Sequence, residues 1–223
     1  MTPALTLVIG NKNYSSWSLR PWLVLRMAGV AFEELLLPFG LPDWKARIRS
    51  ISPAGQVPIL IDASAGGRFV VWESLAICDH VARLAPAAAL WPDGPEARSY
   101  CMSIASEMHA GFGALRRAMP MNVRKSLPGR GREPGALADI ERITAIWREA
   151  RTRFGAGGPF LLGRFSIADA MYAPVAFRFA TYGVPLDPIS AAWQEAILGT
   201  GPMREWAAAA RAEPWIVPED EID

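Results

Sequence analysis

Three short polar segments of this chain carry residues that could do chemistry. The first is Ser15, Ser16, Trp17 and Ser18, placed between the apolar run Leu5–Ile9 and a helix-like run. The second is Gln56, Val57 and Pro58. The third is Trp72, Glu73 and Ser74, where a strand pattern meets a helix pattern. Hydroxyls at a helix start can cap it. They can also face an anion, because free N–H groups and the positive end of the dipole gather there. A thiolate is one such anion. Free cysteine-type thiols titrate near ~8.5, and helix N-termini lower that value. Lowering it by about 2 units takes roughly 2.7 kcal/mol of differential stabilisation. One charge-assisted hydrogen bond and a helix end supply about that. Taken singly, Ser15 and Ser74 read equally well as caps. At Pro58 the missing N–H interrupts a strand ladder. A cis Val57–Pro58 bond would present the backbone of Val57 to an extended ligand, although only about 5–6% of X–Pro bonds are cis.

These segments need elements to hold them. Leu5–Ile9 is a short β-rich run ending at Gly10. Leu19, Trp22, Leu23 and Met27 recur at helical spacing before Gly29, with Pro21 in the first turn. Strand patterns run over Phe32–Phe39, Pro58–Asp62 and Phe69–Trp72. Helical patterns run over Asp43–Arg49 and Ser74–Leu84. The order is β-α-β-α-β-β-α. Pro86, Pro92, Gly94 and Pro95 then mark a connector. Beyond it the patterns are helical: Ala97–Arg117, Ala136–Phe154, Ile167–Phe179 and Pro202–Ala212. The expected architecture is α/β plus all-α, with units at residues 1–85 and 96–223 joined by a linker at 86–95.

Composition narrows the function classes. The 223 residues carry 23 Lys and Arg against 22 Asp and Glu. That balance argues against nucleic acid or an anionic membrane as the main partner. The acidic end, Glu219, Asp220, Glu221 and Asp223, reads as a solvated tail. Cys78 and Cys101 form no CxxC pair and no disulfide framework, which suits a reducing cytoplasm. No leader pattern and no membrane-length apolar run stands out, so the expectation is a cytoplasmic protein. Cys78 and Cys101 read as structural. His80 and His109 lack partners at metal-ligand spacing, so no metal site is expected. Arg116, Arg117 and Arg124 read as surface charges, with an acidic substrate as the alternative partner for one of them. There is no GxGxxG and no P-loop, so nucleotide binding has no support.

In combination the segments are recognisable. The order SSWSLRPWLVL, SPAGQVPIL, WESLAICDHV and then FSIADAMYAPV resembles the glutathione transferase superfamily over nearly the whole chain. The resemblance implies a thioredoxin-like glutathione-binding domain followed by a helical domain with an acceptor-substrate pocket. A serine five residues before an arginine in the first helix, here Ser15 and Arg20, looks like the zeta and tau types. The zeta pattern has a cysteine where this chain has Trp17.

The resemblance also implies roles. Ser15 would stabilise the glutathione thiolate, with Tyr14 and Ser18 as alternative partners of the sulfur. Val57 before Pro58 would pair with the cysteinyl backbone, Glu73 and Ser74 with the γ-glutamyl end, and Gln56 with the glycyl carboxylate. Ser16 and Trp17 would be further contacts. Met108, Phe112 and Leu115 form a core-like stripe on a helix that would border the acceptor pocket. Ser166 and Asp169 match the family's capping box, a structural device.

The implied activity is addition of the glutathione thiolate to a small hydrophobic electrophile, with glutathione as co-substrate and no cofactor. Two-fold dimers are the implied assembly. The alternatives are a zeta-type glutathione-dependent isomerase and a non-catalytic relative that binds a partner protein.

Overall fold

The computed structural model describes residues 4–222. The chain begins with β1 (Leu5–Ile9), α1 (Ser16–Met27), β2 (Glu33–Leu36) and α2 (Trp44–Ile51). It continues with β3 (Ile59–Asp62), β4 (Phe69–Trp72) and α3 (Ser74–Leu84). The sheet order is β2-β1-β3-β4. β1 runs parallel to β2, with Ile9 opposite Leu36, and antiparallel to β3, with Val8 opposite Ile59. β3 and β4 are antiparallel, with Ile59 opposite Trp72. This mixed sheet with its helices is the thioredoxin-like arrangement the sequence order implied.

A 3₁₀ turn at Pro86–Ala88 leads into the helical part. There follow α4 (Pro95–Ala110), α5 (Gly113–Ala118), α6 (Pro134–Phe154), α7 (Ile167–Tyr182), α8 (Pro188–Leu198) and α9 (Gly201–Ala212). The central helix is α7, which is buried almost all round, so its pattern shows no polar face. Trp147 of α6 and Trp193 of α8 stack on its flank, ring centroids 4.2 Å apart. Asp169 and Ser166 form the expected capping box at its start. Gly183, at φ 58° and ψ 47°, ends it in the left-handed conformation that glycine tolerates. No helix among the described residues is long and apolar enough to cross a membrane.

Several elements depart from the sequence reading. α1 starts at Ser16 because Ser15 caps it, so Pro21 lies inside the helix rather than in its first turn. There it has no N–H to give the carbonyl of Trp17. The expected helix over 97–117 is two. Gly111 is extended and Phe112 sits at φ 58°, which ends α4 and starts α5 in a new direction. α8 was not anticipated, although Asp187 and Pro188 spell a helix start. The Asp187 carboxylate accepts from the N–H groups of Ile189 and Ser190 at 3.0 and 3.1 Å.

Candidate functional site

A cavity of about 600 Å³ opens between the thioredoxin-like part and the helical part. The loop after β1 supplies its first wall. The Asn11 carbonyl accepts the N–H groups of Tyr14 and Ser15, and its side-chain oxygen accepts from the N–H of Phe39 at 2.7 Å. This pins Tyr14, Ser15, Ser16 and Trp17 at the cavity edge beside Phe39. The Ser15 and Ser18 hydroxyls lie 2.7 Å apart. Ser18 Oγ accepts from the N–H of Gly10 at 3.1 Å, and Ser15 Oγ from the N–H of Ser18 at 3.4 Å. Ser18 itself is fully buried and does not line the cavity.

Gln56, Val57 and Pro58 form the second wall. The Val57–Pro58 bond is cis, and the registered ladder starts only at Ile59. Trp72, Glu73 and Ser74 form the third. Ser74 is not the N-cap. The N-cap position belongs to Glu73, at φ 69° and ψ 124°, and Ser74 is the first helical residue. Its hydroxyl is buried without a hydrogen-bond partner. A buried hydroxyl left bare is costly, and a bare one beside three free helix N–H groups is a place for an anionic ligand.

All eight residues expected to hold the ligand, Ser15, Ser16, Trp17, Gln56, Val57, Pro58, Glu73 and Ser74, meet on this one cavity. Met108, Phe112 and Leu115 do not. They are buried in the main hydrophobic core. The helical wall is instead made by His109, Arg116, Pro120, Met121, Arg178 and Asp220.

Of this wall the sequence offered only Arg116, as one of three arginines with an acidic substrate as the alternative partner. His109 is one residue past the core-facing Met108, and its Nε2 is 3.4 Å from a Glu73 oxygen. The Trp17 ring meets it edge-on at 5.4 Å. Of the two readings for Arg116, a surface charge or a partner for an acidic substrate, the structure disfavours the first: it is half-buried with its guanidinium 5.1 Å from the Trp17 ring. Arg178, one of the few charged residues of α7, donates to Ser16 Oγ at 3.2 Å and to the carbonyl of Met119. Arg20 lies behind Trp17, its guanidinium 3.9 Å from the ring.

The acidic end is not a solvated tail. Glu221 accepts from the Tyr14 hydroxyl at 2.5 Å and from Asn122 at 2.9 Å, and it pairs with Lys125 at 2.6 Å. Asp220 lines the cavity. Asp223 lies outside the described residues. Arg124, also read as a surface charge, ties this segment down by donating to the carbonyls of Glu213 and Trp215 and to the Tyr14 hydroxyl. Tyr14 therefore spends its proton on Glu221, and burial raises its pKa. A sequence cannot report these contacts, because they join residues from 89 to 207 positions apart.

The electrostatics follow from burial. Desolvation, and then the charges of Arg178 and Arg116, bring Arg20 down to about 9. Burial brings Arg178 to about 10. Both stay charged at neutral pH. Burial pushes the Cys101 thiol up to about 12 and raises Cys78 as well, so neither is a ready nucleophile. Burial lowers the His109 pKa; Glu73 pulls it up, and Arg20 and Arg116 push it down.

The unfolded imidazole titrates near ~6.5. Just below that pH the unfolded chain binds a proton that the folded chain refuses. His109 thus makes stability fall as pH drops through that value toward the lower folded pKa. Urea unfolding across this range should show the loss, and His109→Gln should flatten it.

Two family models match the chain: the glutathione S-transferase N-terminal domain over residues 14–84 and the glutathione S-transferase C-terminal domain over residues 105–209. The chain belongs to the glutathione S-transferase family. No curated protein sequence matches it. Among solved structures it is similar to a glutathione transferase homolog from Burkholderia GL BGR1 with bound glutathione. That pair has 21% identity and a TM-score of 0.69, covering 94% of this chain and 99% of the other. It is also similar to the glutathione transferase URE2P8 from Phanerochaete chrysosporium with oxidized glutathione, at 17% identity, TM-score 0.69, and coverage of 95% and 96%. A tau class enzyme from mango, Mangifera indica, matches at 15% identity, TM-score 0.68, and coverage of 93% and 96%. At these identities the likeness is one of fold.

Proposed function

We propose that this chain is a glutathione transferase that binds glutathione, ionises its thiol and adds the thiolate to a small electrophile. The unpartnered Ser74 hydroxyl, buried at the start of α3 beside Glu73, carries the reading. It fits the α-carboxylate of a γ-glutamyl group, with Glu73 on the ammonium. Val57 would pair with the cysteinyl backbone and Gln56 with the glycyl end. The sulfur would then face Ser15. Gly10 N–H donates to Ser18 Oγ. The Ser15 hydroxyl donates to Ser18 Oγ in the free site and would turn its proton to the sulfur when glutathione binds, while Ser15 Oγ keeps the Ser18 N–H as its own donor. The thiol proton leaves to solvent and the thiolate forms a bond to the electrophilic carbon; either a leaving group departs with its bonding pair, or the carbon's π pair shifts to the neighbouring atom, which takes a proton from solvent. The protein contributes a lowered thiol pKa and the high local concentration of two held reactants. Residues 1–85 are the glutathione-binding unit in this reading, and residues 96–223 supply the acceptor side.

The test is calorimetry with glutathione while the ultraviolet thiolate absorbance is followed against pH. Saturable binding with a thiol pKa below about 8.5 supports the reading. Absence of binding at millimolar glutathione sinks it and leaves the non-catalytic partner-binding alternative. Turnover of cis-enedione acids without net consumption of glutathione would mark the isomerase instead. We also propose a homodimer, for which the exposed Phe69 and Trp72 on the sheet edge offer apolar surface. Sedimentation checks it.

Glu73 gives a second test. A non-glycine residue at such φ and ψ costs roughly 1–3 kcal/mol. Glu73→Gly removes that strain at about 0.5–1 kcal/mol of extra backbone entropy. The variant should be as stable as the parent or more so by denaturant titration, yet bind glutathione about tenfold or more weakly through the lost charge contact. Unchanged affinity would remove Glu73 from the site.

A further inference from the structure

The helical wall of the cavity holds more positive charge than it can neutralise. Arg116 and Arg178 line it, and Arg20 lies directly behind Trp17. Among the described residues, none of these three guanidiniums has a carboxylate within 4.0 Å, and Arg20 and Arg178 are buried away from the water that solvates the unpaired arginines of the surface. Arg116 donates no side-chain hydrogen bond to any described residue, and one terminal nitrogen of Arg20 is buried without a partner. Arg178 spends its donors on a carbonyl and a hydroxyl. Asp220 acts on Arg178 and Asp139 on Arg116 only at longer range. Buried charges without counter-ions are expensive. A protein that keeps them at a cavity wall has an anion to put there.

Their position says which anion. The residues that would hold glutathione's two ends come from the thioredoxin-like part: Gln56, Glu73 and Ser74. Arg178 instead grips Ser16, the neighbour of Ser15, and Arg116 covers Trp17. Both guanidiniums thus flank the place of the sulfur from the acceptor side.

We infer that the electrophile carries a carboxylate, received by Arg178 and Arg116 as the thiolate attacks. This rests on the glutathione transferase reading and names its substrate class. It replaces the expectation of a purely hydrophobic acceptor. A planar guanidinium suits a carboxylate in two-point geometry, and two such groups facing one cavity orient the electrophile as well as bind it.

The test uses the full chain and calorimetry with four ligands: glutathione, S-benzylglutathione, and its 3-carboxybenzyl and 4-carboxybenzyl analogues. At least one carboxylated conjugate should bind about tenfold or more tightly than S-benzylglutathione, as desolvated charge pairs do. That advantage should vanish in Arg178→Met and shrink in Arg116→Met, and Arg178→Lys should keep part of it. Arg178 is buried, so its Met variant could misfold; Arg116, half-buried and free of side-chain hydrogen bonds, then decides. Equal affinity of benzyl and carboxybenzyl conjugates in the parent overturns the inference while leaving the function intact. So does an advantage that survives both Met substitutions. A glutathione thiol pKa that rises in the Met variants with no change in carboxylate preference would assign the arginines to the thiolate, and also overturns it. If glutathione itself does not bind, the functional reading fails first and this falls with it.

Discussion

Replacing Ser15 by alanine should return the titration of bound glutathione toward that of the free thiol. A hydrogen bond to a charged group contributes about 1.5–3 kcal/mol, which is roughly 1–2 pKa units and 10–100-fold in kcat/KM at neutral pH. The effect should be confined to the thiolate. Gln56, Val57, Glu73 and Ser74 lie on other segments of the cavity, so glutathione should still bind. Ser15 also caps α1, but its bond from the Ser18 N–H is long at 3.4 Å. The stability cost should therefore sit at the low end of the roughly 0.5–2 kcal/mol seen for lost caps. The thiolate absorbance against pH separates the two effects. An unchanged thiol pKa in Ser15→Ala would move the role to another donor. Tyr14 is a poor candidate because its proton is spent on Glu221. Arg178, through Ser16, would be the next to examine.

The second large effect is on stability. Asp169 is completely buried, and four donors converge on its carboxylate. They are the N–H of Leu161 at 2.8 Å, the N–H and hydroxyl of Ser166 at 2.9 and 2.8 Å, and the Trp193 indole N–H at 2.8 Å. Burial raises its pKa while these donors pull it back. All four are donors, so the site suits the ionised, acceptor-only form. Asp169→Asn turns one acceptor oxygen into an NH₂ group facing donors. Two buried donors lose their partner, at about 1–3 kcal/mol each. The melting temperature should fall on the order of 10 °C for a chain of this size. The loss should be global, because this carboxylate joins the start of α7 to α8 and to the loop before α7. A variant that melts like the parent would show that the network is redundant. Glutathione affinity measured well below the transition should stay close to the parent value, since Asp169 lies outside the cavity.

Which parts of this protein could be read in advance follows from how local each signal is. The β-α-β-α-β-β-α order was legible because each element announces itself within a few residues: a short β-rich apolar run at Leu5–Ile9, helical spacing from Leu19 to Met27, turn residues between Asp62 and Phe69. The capping box at Ser166 and Asp169 is likewise a four-residue signal. The cavity lining by Ser15, Val57 and Ser74 was also legible, since each stands where a loop meets a helix or a strand. The break at Gly111 and Phe112 was not. Its two helical patterns share a face, so periodicity carries across the gap.

Local sequence signals were enough for the family, for the element order of the first 85 residues and for the loop residues that line one side of the cavity. The tertiary structure alone decided the other side. Met108, Phe112 and Leu115 went into the core, and His109, Arg116, Arg178 and Asp220 came to the cavity. Hydrophobic periodicity says which face of a helix is buried. It does not say whether a charged residue beside that face ends in water or in a cleft between two packed units. That depends on which helix lies against which, and the contacts that settle it join residues as far apart as Tyr14 and Glu221 or Ser16 and Arg178.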